Sequence, residues 1–299
     1  MQILSGRRHK VQELAFSHCG RWLAASGYRG GLHVWDTANP TAKPRQPNTG
    51  RSQAAHSLAF RADGRLFYSV PYGLSYLFDP VTNQRRALGK QRLGHIVPSP
   101  DGQRFVRAYV LSSLRTWTIR DIGSPVAELS VKCPGAQILT AAFAPNGTTF
   151  ATLERSHDAH YNASLTVTVR ELSTGKPICS MPCPGVSMHR IAFSNDGTHL
   201  LARGWATLAC WSIAEPNKPP RKATNPSRKH FLSMAVHPTG PLLTVANDRL
   251  VQVWDMPALT TDRSITWNIG KLYAVAVSPD GSRAAVGSHT GKVLVWDWD

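Results

Sequence analysis

The sequence predicts an all-β protein built by repetition, in seven successive units of short antiparallel strands. Three observations carry that expectation. A turn glycine recurs along the chain at Gly20, Gly64, Gly102, Gly147, Gly197, Gly240 and Gly281. Four residues before each stands Phe16, Phe60, Pro98, Phe143, Phe193, Val236 or Val277; two further back stands Leu14, Leu58, Ile96, Ala141, Ile191, Met234 or Val275. Apolar residues alternating with period two mark a strand with one buried face. Finally, each unit ends on a strand that carries Trp35, Phe78, Trp117, Val169, Trp211, Trp254 or Trp296.

The last unit, LYAVAVSPDGSRAAVGSHTGKVLVWDWD, shows the design most plainly. Ser278-Pro279-Asp280-Gly281 is a turn signal, because proline presets φ and glycine takes φ > 0 without strain. Thr290-Gly291 supplies a second turn, which makes the unit a three-stranded antiparallel meander. Three strands cannot bury both faces alone, so the unit needs neighbours of its own kind. Seven units in this chain average about 43 residues each, within the period of four-stranded propeller blades.

At these residues the chain resembles the WD-repeat (WD40) β-propeller family. Trp35-Asp36, Trp254-Asp255 and Trp296-Asp297 match the family's closing dipeptide, and Phe78-Asp79 nearly does. AFSHCG, AFRADG, AFAPNG, AFSNDG and VSPDG match its inner-strand signature. The resemblance implies one seven-bladed β-propeller of four-stranded antiparallel blades over residues 1–299, with repeat units at roughly 11–36, 54–79, 94–120, 138–171, 188–213, 230–255 and 272–297. The repeats are degenerate. The family's buried Asp before the closing strand is kept at Asp248, whereas Arg29 and Thr290 stand there in the first and last units.

In chain order, Gln2–Ser5 has no partner in the first unit, and the seventh unit lacks a fourth strand. Pairing the two would close the ring and cover two exposed edges. Pro98 predicts a shortened or bent third inner strand. The fourth closing residue, Val169, stands 22 residues after its turn glycine where the others stand 14 or 15 after, which localises an insertion to Glu154–Ala163, expected as a mobile polar loop. Ala127–Val131, Pro177–Ser180 and Ser264–Trp267 read as outer edge strands. Residues 37–51 and 215–229 are rich in proline and cations, and are expected as long solvated connections with little strand.

Composition narrows the class. Hydrophobic residues make up 42% of the chain, too many for disorder. No apolar run approaches ~20 residues, and the N-terminus lacks an apolar signal region, so a cytoplasmic address is expected. The five cysteines are odd in number and scattered, which does not suit a disulfide framework. Net charge is +16, from 34 Lys+Arg against 18 Asp+Glu, which favours acidic partners.

Catalytic and metal signatures are weak. Cys179 and Cys183 lack a second pair at zinc spacing; Cys133-Pro-Gly and Cys183-Pro-Gly are the same place in adjacent units. His157 and His160 with Asp158 lie in a polar loop without a fixed scaffold, and no metal is expected there. There is no nucleophile elbow and no phosphate-binding glycine loop. Most acids, such as Asp36, Asp63, Asp79, Asp101, Asp196 and Asp280, sit in turns or just after a closing aromatic, where local turn hydrogen bonds explain them. No enzyme activity and no cofactor is expected.

In the family's topology, loops entering the inner strands and loops before the closing strands share one rim. In this chain that rim is basic and carries exposed aromatics: Tyr28, Arg29, Tyr72, Arg92, Trp205, Arg228, Lys229 and Lys271 form the candidate binding set, opposed only by Glu154, Asp158 and Asp248. Arginine and aromatic side chains mark interfaces. The expected function is a protein-interaction scaffold, a monomeric propeller within a complex, whose basic rim binds acidic or phosphorylated protein segments. Nucleic acid on the same rim is the alternative. An alternative of another class is a lactonase-like propeller hydrolase with a channel site.

Overall fold

The computed structural model describes residues 1–4, 9–27, 29–49, 55–70, 74–90, 96–111, 114–121, 129–132, 135–158, 160–183, 185, 187–246 and 248–298. Among them every regular element is a β-strand. The chain divides into two compact units: unit 1 comprises Met1–Arg92, Leu232–Trp254 and Thr261–Asp299, and unit 2 comprises Leu93–Phe231 and Asp255–Thr260.

Unit 1 begins with β1 (Gln2–Leu4) and a three-stranded antiparallel sheet of β2 (Glu13–Phe16), β3 (Trp22–Ser26) and β4 (His33–Asp36). The β2–β3 turn is tied at both ends of its chain. Trp22 N donates to Ser17 Oγ at 3.0 Å and Gly20 N to Ser17 O at 2.8 Å, with Gly20 at φ 69°. After β4 the proline-rich segment makes one isolated bridge, Val34 to Arg45, in agreement with the sparse pairing expected there. The next sheet is β5 (His56–Phe60), β6 (Leu66–Val70), β7 (Leu74–Asp79) and β8 (Gln84–Lys90).

Unit 2 holds three four-stranded sheets. The first contains β9 (Ile96–Pro98), β10 (Arg104–Leu111), β11 (Leu114–Asp121) and β12 (Leu129–Lys132); β9 stops at Pro98, as a residue without an amide donor dictates. The second contains β13 (Ala136–Phe143), β14 (Thr149–His157), β15 (Ala163–Glu171) and β16 (Pro177–Pro182). Here the insertion departs from the expected loop. Glu154 pairs with Thr166, Arg155 with Leu165, Ser156 with Ser164 and His157 with Ala163, so the extra residues lengthen a hairpin. The β-branched run Thr166-Val167-Thr168-Val169 continues the ladder, and beyond His157 Asp158 accepts from Asn162 N at 2.9 Å.

The third sheet of unit 2 is β17 (Met188–Phe193), β18 (His199–Gly204), β19 (Thr207–Ser212) and β20 (Arg221–Thr224). β20 corrects the expectation of little strand at 215–229. Thr207 pairs with Thr224 and Cys210 with Arg221, because RKAT lies beyond the prolines, and its exposed cations guard the edge.

The next sheet, mostly in unit 1, comprises β21 (Phe231–Val236), β22 (Leu242–Ala246), β23 (Leu250–Asp255) and β24 (Thr260–Thr266). The last comprises β25 (Leu272–Val277), β26 (Arg283–Ser288) and β27 (Val293–Asp297), with β1 as its fourth strand. β1 runs antiparallel to β27, with Gln2 opposite Val295, Ile3 opposite Leu294 and Leu4 opposite Val293.

The core lies between sheets, and period-two alternation delivers it. In unit 1 Leu4, Val11, Phe16, Leu23, Trp35, Val293 and Val295 form one cluster, and Trp22, Val34, Phe60, Tyr68 and Phe78 another. In unit 2 Leu153, Val167, Met181, Ile191, Leu200 and Trp211 pack together. The closing aromatics Trp35, Phe78, Trp211 and Trp254 are essentially buried. Trp254 Nε1 donates to Thr244 Oγ1 at 2.8 Å, which removes the penalty of burying its polar atom. At Thr290, where the family's Asp is missing, the hydroxyl instead pairs with Ser288 Oγ at 2.8 Å and donates to Ile269 O at 3.1 Å.

A candidate interaction surface

Antiparallel order fixes which residues share an end of each sheet. The turn glycines and the links from third to fourth strands lie at one end. The starts of the inner strands and the hairpins between second and third strands lie at the other. In both units the first end uses its charges locally. Arg21 pairs with Asp36 at 2.8 Å, and that hydrogen bond holds the Asp36 carboxyl below the usual range. Arg65 pairs with Asp79 at 3.5 Å. Asp196 accepts from Ser194 and Thr198, which lowers its pKa to about 2. Asp280 accepts from Ser278 and Ser282, and those hydrogen bonds hold its carboxyl below the usual range. These carboxylates are turn locks, as local turn chemistry leads one to expect.

At the second end of the unit 2 sheets, Trp205, Arg228 and Lys229 come together. Trp205 occupies the tight β18–β19 hairpin and is 53% exposed. Phe231 N donates to Trp205 O, and Asn225 N to Ala206 O at 2.8 Å, so the 225–231 loop is laced to that hairpin. Asn225 is buried and its Nδ2 donates to Lys229 O at 2.9 Å, which leaves Arg228 and Lys229 exposed on a shaped loop. His230 lies against Trp205 with ring centroids 4.3 Å apart. In unit 1 Arg29 and Lys271 are exposed at the same kind of strand end, and Lys271 N donates to His289 Nδ1 at 3.0 Å. Lys10 Nζ sits 4.5 Å from the Tyr273 ring centroid. Tyr28, Tyr72 and Arg92 lie outside the described residues.

Of the opposing acids, Glu154 is taken up by Arg170 at 2.7 Å, both side chains being largely buried. Asp158 is held by Asn162 Nδ2 at 2.9 Å, and Asp248 accepts from Leu250 N at 3.0 Å. Sequence reasoning missed Arg203, His189, Arg190 and His230, all close to Trp205 or to one another. A signal was present. Six residues after the turn glycine the other repeats hold Ser26, Val70, Ala108, Leu153, Ala246 and Gly287, and Arg203 is the charged exception. Among the described residues no group of three or more His, Cys, Asp or Glu is placed to hold a metal ion. No described helix is long and apolar enough to cross a membrane.

Repeated antiparallel sheets closed by buried aromatics define a propeller-like, all-β repeat protein. The family model for the WD domain, G-beta repeat, matches residues 1–36, 224–255 and 264–297, and the chain carries WD40 repeats there. It is similar to Protein groucho of Drosophila melanogaster, 27% identical over 152 residues, which is 48% of this chain and 20% of that protein. It is also similar to Small ribosomal subunit protein RACK1 of Neurospora crassa, 32% identical over 62 residues, 20% of each chain. Each match therefore spans a fifth of the relative's length.

Proposed function

We propose that this chain is a non-catalytic interaction scaffold. Its seven sheets are the blades of one propeller, with β1 closing the ring. Its basic loop ends bind acidic or phosphorylated protein segments. The supporting observation is the arrangement around Trp205 in unit 2: an exposed aromatic between exposed cations, while Glu154 and Asp158 are already engaged within the protein. A positive surface attracts anionic ligands over about a Debye length, ~8 Å at physiological salt, and arginine and tryptophan supply short-range pairing and stacking. Likeness to two WD-repeat proteins fits a scaffold.

The test is affinity capture with the purified chain as bait, with and without nuclease, since one relative is by name a component of the small ribosomal subunit. The bait carries Arg228→Glu and Lys229→Glu, beside a control with Lys43→Glu and Lys176→Glu at other exposed positions. Loss of a nuclease-resistant partner from the first bait alone is expected. Equal retention by both baits overturns the assignment of the working surface, and loss of every partner on nuclease treatment replaces protein by nucleic acid.

A further inference from the structure

Arg203, next to last in β18, stands in a place that is small or apolar in the other repeats. It is 9% exposed, one of its terminal nitrogens donates to the Phe231 carbonyl, and its Nε is buried without a hydrogen-bond partner. Burial, followed by the nearby Arg190 charge, lowers its pKa to about 10, so it remains charged at neutral pH. Arg190 stands directly opposite it on β17, and like charges facing each other across strands are destabilising. The ladder steps over His189 between Met188 and Arg190. His189 Nε2 is also buried and unpartnered, as is Nε of Arg155 near the end of β14, a strand that packs against β17.

The charged groups that act on His189 are Arg203, Arg155, Arg190 and His230, all basic. The Trp205 ring lies 6.1 Å from His189 and 4.3 Å from His230. The backbone beside it has no slack: a Cβ on Gly204 would fall 2.7 Å from Ser187 O and 3.1 Å from Met188 Sδ. The buried, unpartnered nitrogens of Arg155, His189 and Arg203 raise the free energy of the empty site, and an incoming anion lowers it.

We propose that Arg155, His189, Arg190 and Arg203 form a binding site for a phosphomonoester dianion, with Trp205 and His230 flanking the group that bears it. This rests on the scaffold reading above and narrows its ligand to phosphorylated segments. A carboxylate would bring one charge and two oxygens to this cluster. A phosphomonoester brings nearly two charges and three acceptor oxygens, which suits unpartnered nitrogens from three side chains.

The experiment is calorimetric titration of the purified full chain at pH 8 and fixed ionic strength. The probes are inorganic phosphate, a capped phosphoserine peptide, its serine and aspartate counterparts, and glucose phosphate as the small-molecule source. One site is expected for inorganic phosphate and for the phosphoserine peptide, with the serine and aspartate peptides at least about tenfold weaker. Arg155→Gln should weaken both phosphorylated probes about tenfold, while Trp205→Ala weakens the peptide and leaves inorganic phosphate within about twofold. Lys222→Gln on exposed β20 is the control. Glucose phosphate binding as tightly as the peptide would assign the site to a small phosphorylated molecule, with the same dianion chemistry. Undiminished phosphate binding in Arg155→Gln, or equal affinity for the aspartate peptide, overturns the proposal. Partner capture that depends on Arg228 and Lys229 while phosphate fails to bind would sink this site and leave the scaffold standing. Phosphate binding as expected with capture insensitive to those two residues would keep this site and overturn the assignment of the working surface to Arg228 and Lys229.

Discussion

Leu4→Ala and Ile3→Ala, made separately, should behave as opposites although the residues are neighbours on one short strand. In β1 the Leu4 side chain is 1% exposed and sits among Val11, Phe16, Trp35, Val293 and Val295, whereas Ile3 is 50% exposed. Truncating a buried leucine removes its transfer free energy and leaves a cavity, which together amount to about 2–5 kcal/mol. β1 lies at the edge of its sheet and can relax, so the lower part of that range, about 2–3 kcal/mol, is expected. Ile3 forfeits only partly buried area, about 0.5–1 kcal/mol. The assay is urea unfolding at 25 °C followed by both tryptophan emission and circular dichroism, whose coincidence checks that one transition is being read. Pairing of Leu4 with Val293 fixes which face β1 buries, and a slip of one residue would exchange the two side chains. Ile3→Ala costing as much as Leu4→Ala would refute this register, and two substitutions both within about 0.5 kcal/mol of the parent would refute the pairing itself.

Three further outcomes follow from side-chain contacts in the structure. Glu154→Gln should destabilise by about 3–5 kcal/mol in the same unfolding assay, because it leaves buried Arg170 without its carboxylate; the double variant Glu154→Leu with Arg170→Met should cost less than the single one. Gly287→Ala would place a Cβ 2.3 Å from Val11 Cγ1 and 2.5 Å from its Cβ, so a loss of about 1–3 kcal/mol is expected, and Val11→Ala should not rescue it because that Cβ stays in place. Burial first, and then Arg203, Arg155, Arg190 and His230, lower the His189 pKa below its ordinary 6.5. The unfolded chain therefore takes up the proton first as pH falls. The contribution is fully present above about 6.5, fades through the lowered folded value, and its slope should flatten in His189→Gln when stability is measured from pH 8 to 5.

The repeat was readable in the sequence because its signals are local. Gly281 with Asp280 and Ser278 makes its turn from residues within a few positions of one another, and Trp296 follows at a fixed interval, so seven such sets announced the sheets. β20 was hidden because Pro219 and Pro220 immediately before it carry the local signal of a loop, while its pairing with β19 is set by a ladder residues away. The 154–163 stretch looked like a loop because its polarity outweighs its alternation; in a protruding hairpin both faces can be polar, and periodicity loses its contrast. Of the candidate surface, Trp205, Arg228 and Lys229 were found by their loop positions. Arg203 and His189 were not, because their significance depends on which nitrogens find partners, and a sequence does not display that. The proline-rich stretch after β4, by contrast, behaves as its composition says, since proline cannot donate to a ladder.

The partnership of Gln2 with Val295 has a consequence for the order in which this protein is made. On the ribosome, β1 emerges near the start of this sequence and then waits for nearly all the rest before its mate exists. Every other sheet draws its strands from one continuous stretch and can form as that stretch appears. The entropy of closing a loop grows only with the logarithm of its length, so the long wait adds little to the final free energy. It adds much to the time for which the apolar side chain of Leu4 stands uncovered, and the edge of β27 is then covered only as fast as so distant a pairing can form. The sheet completed last is thus the one whose edge strand comes first among the strands of this sequence.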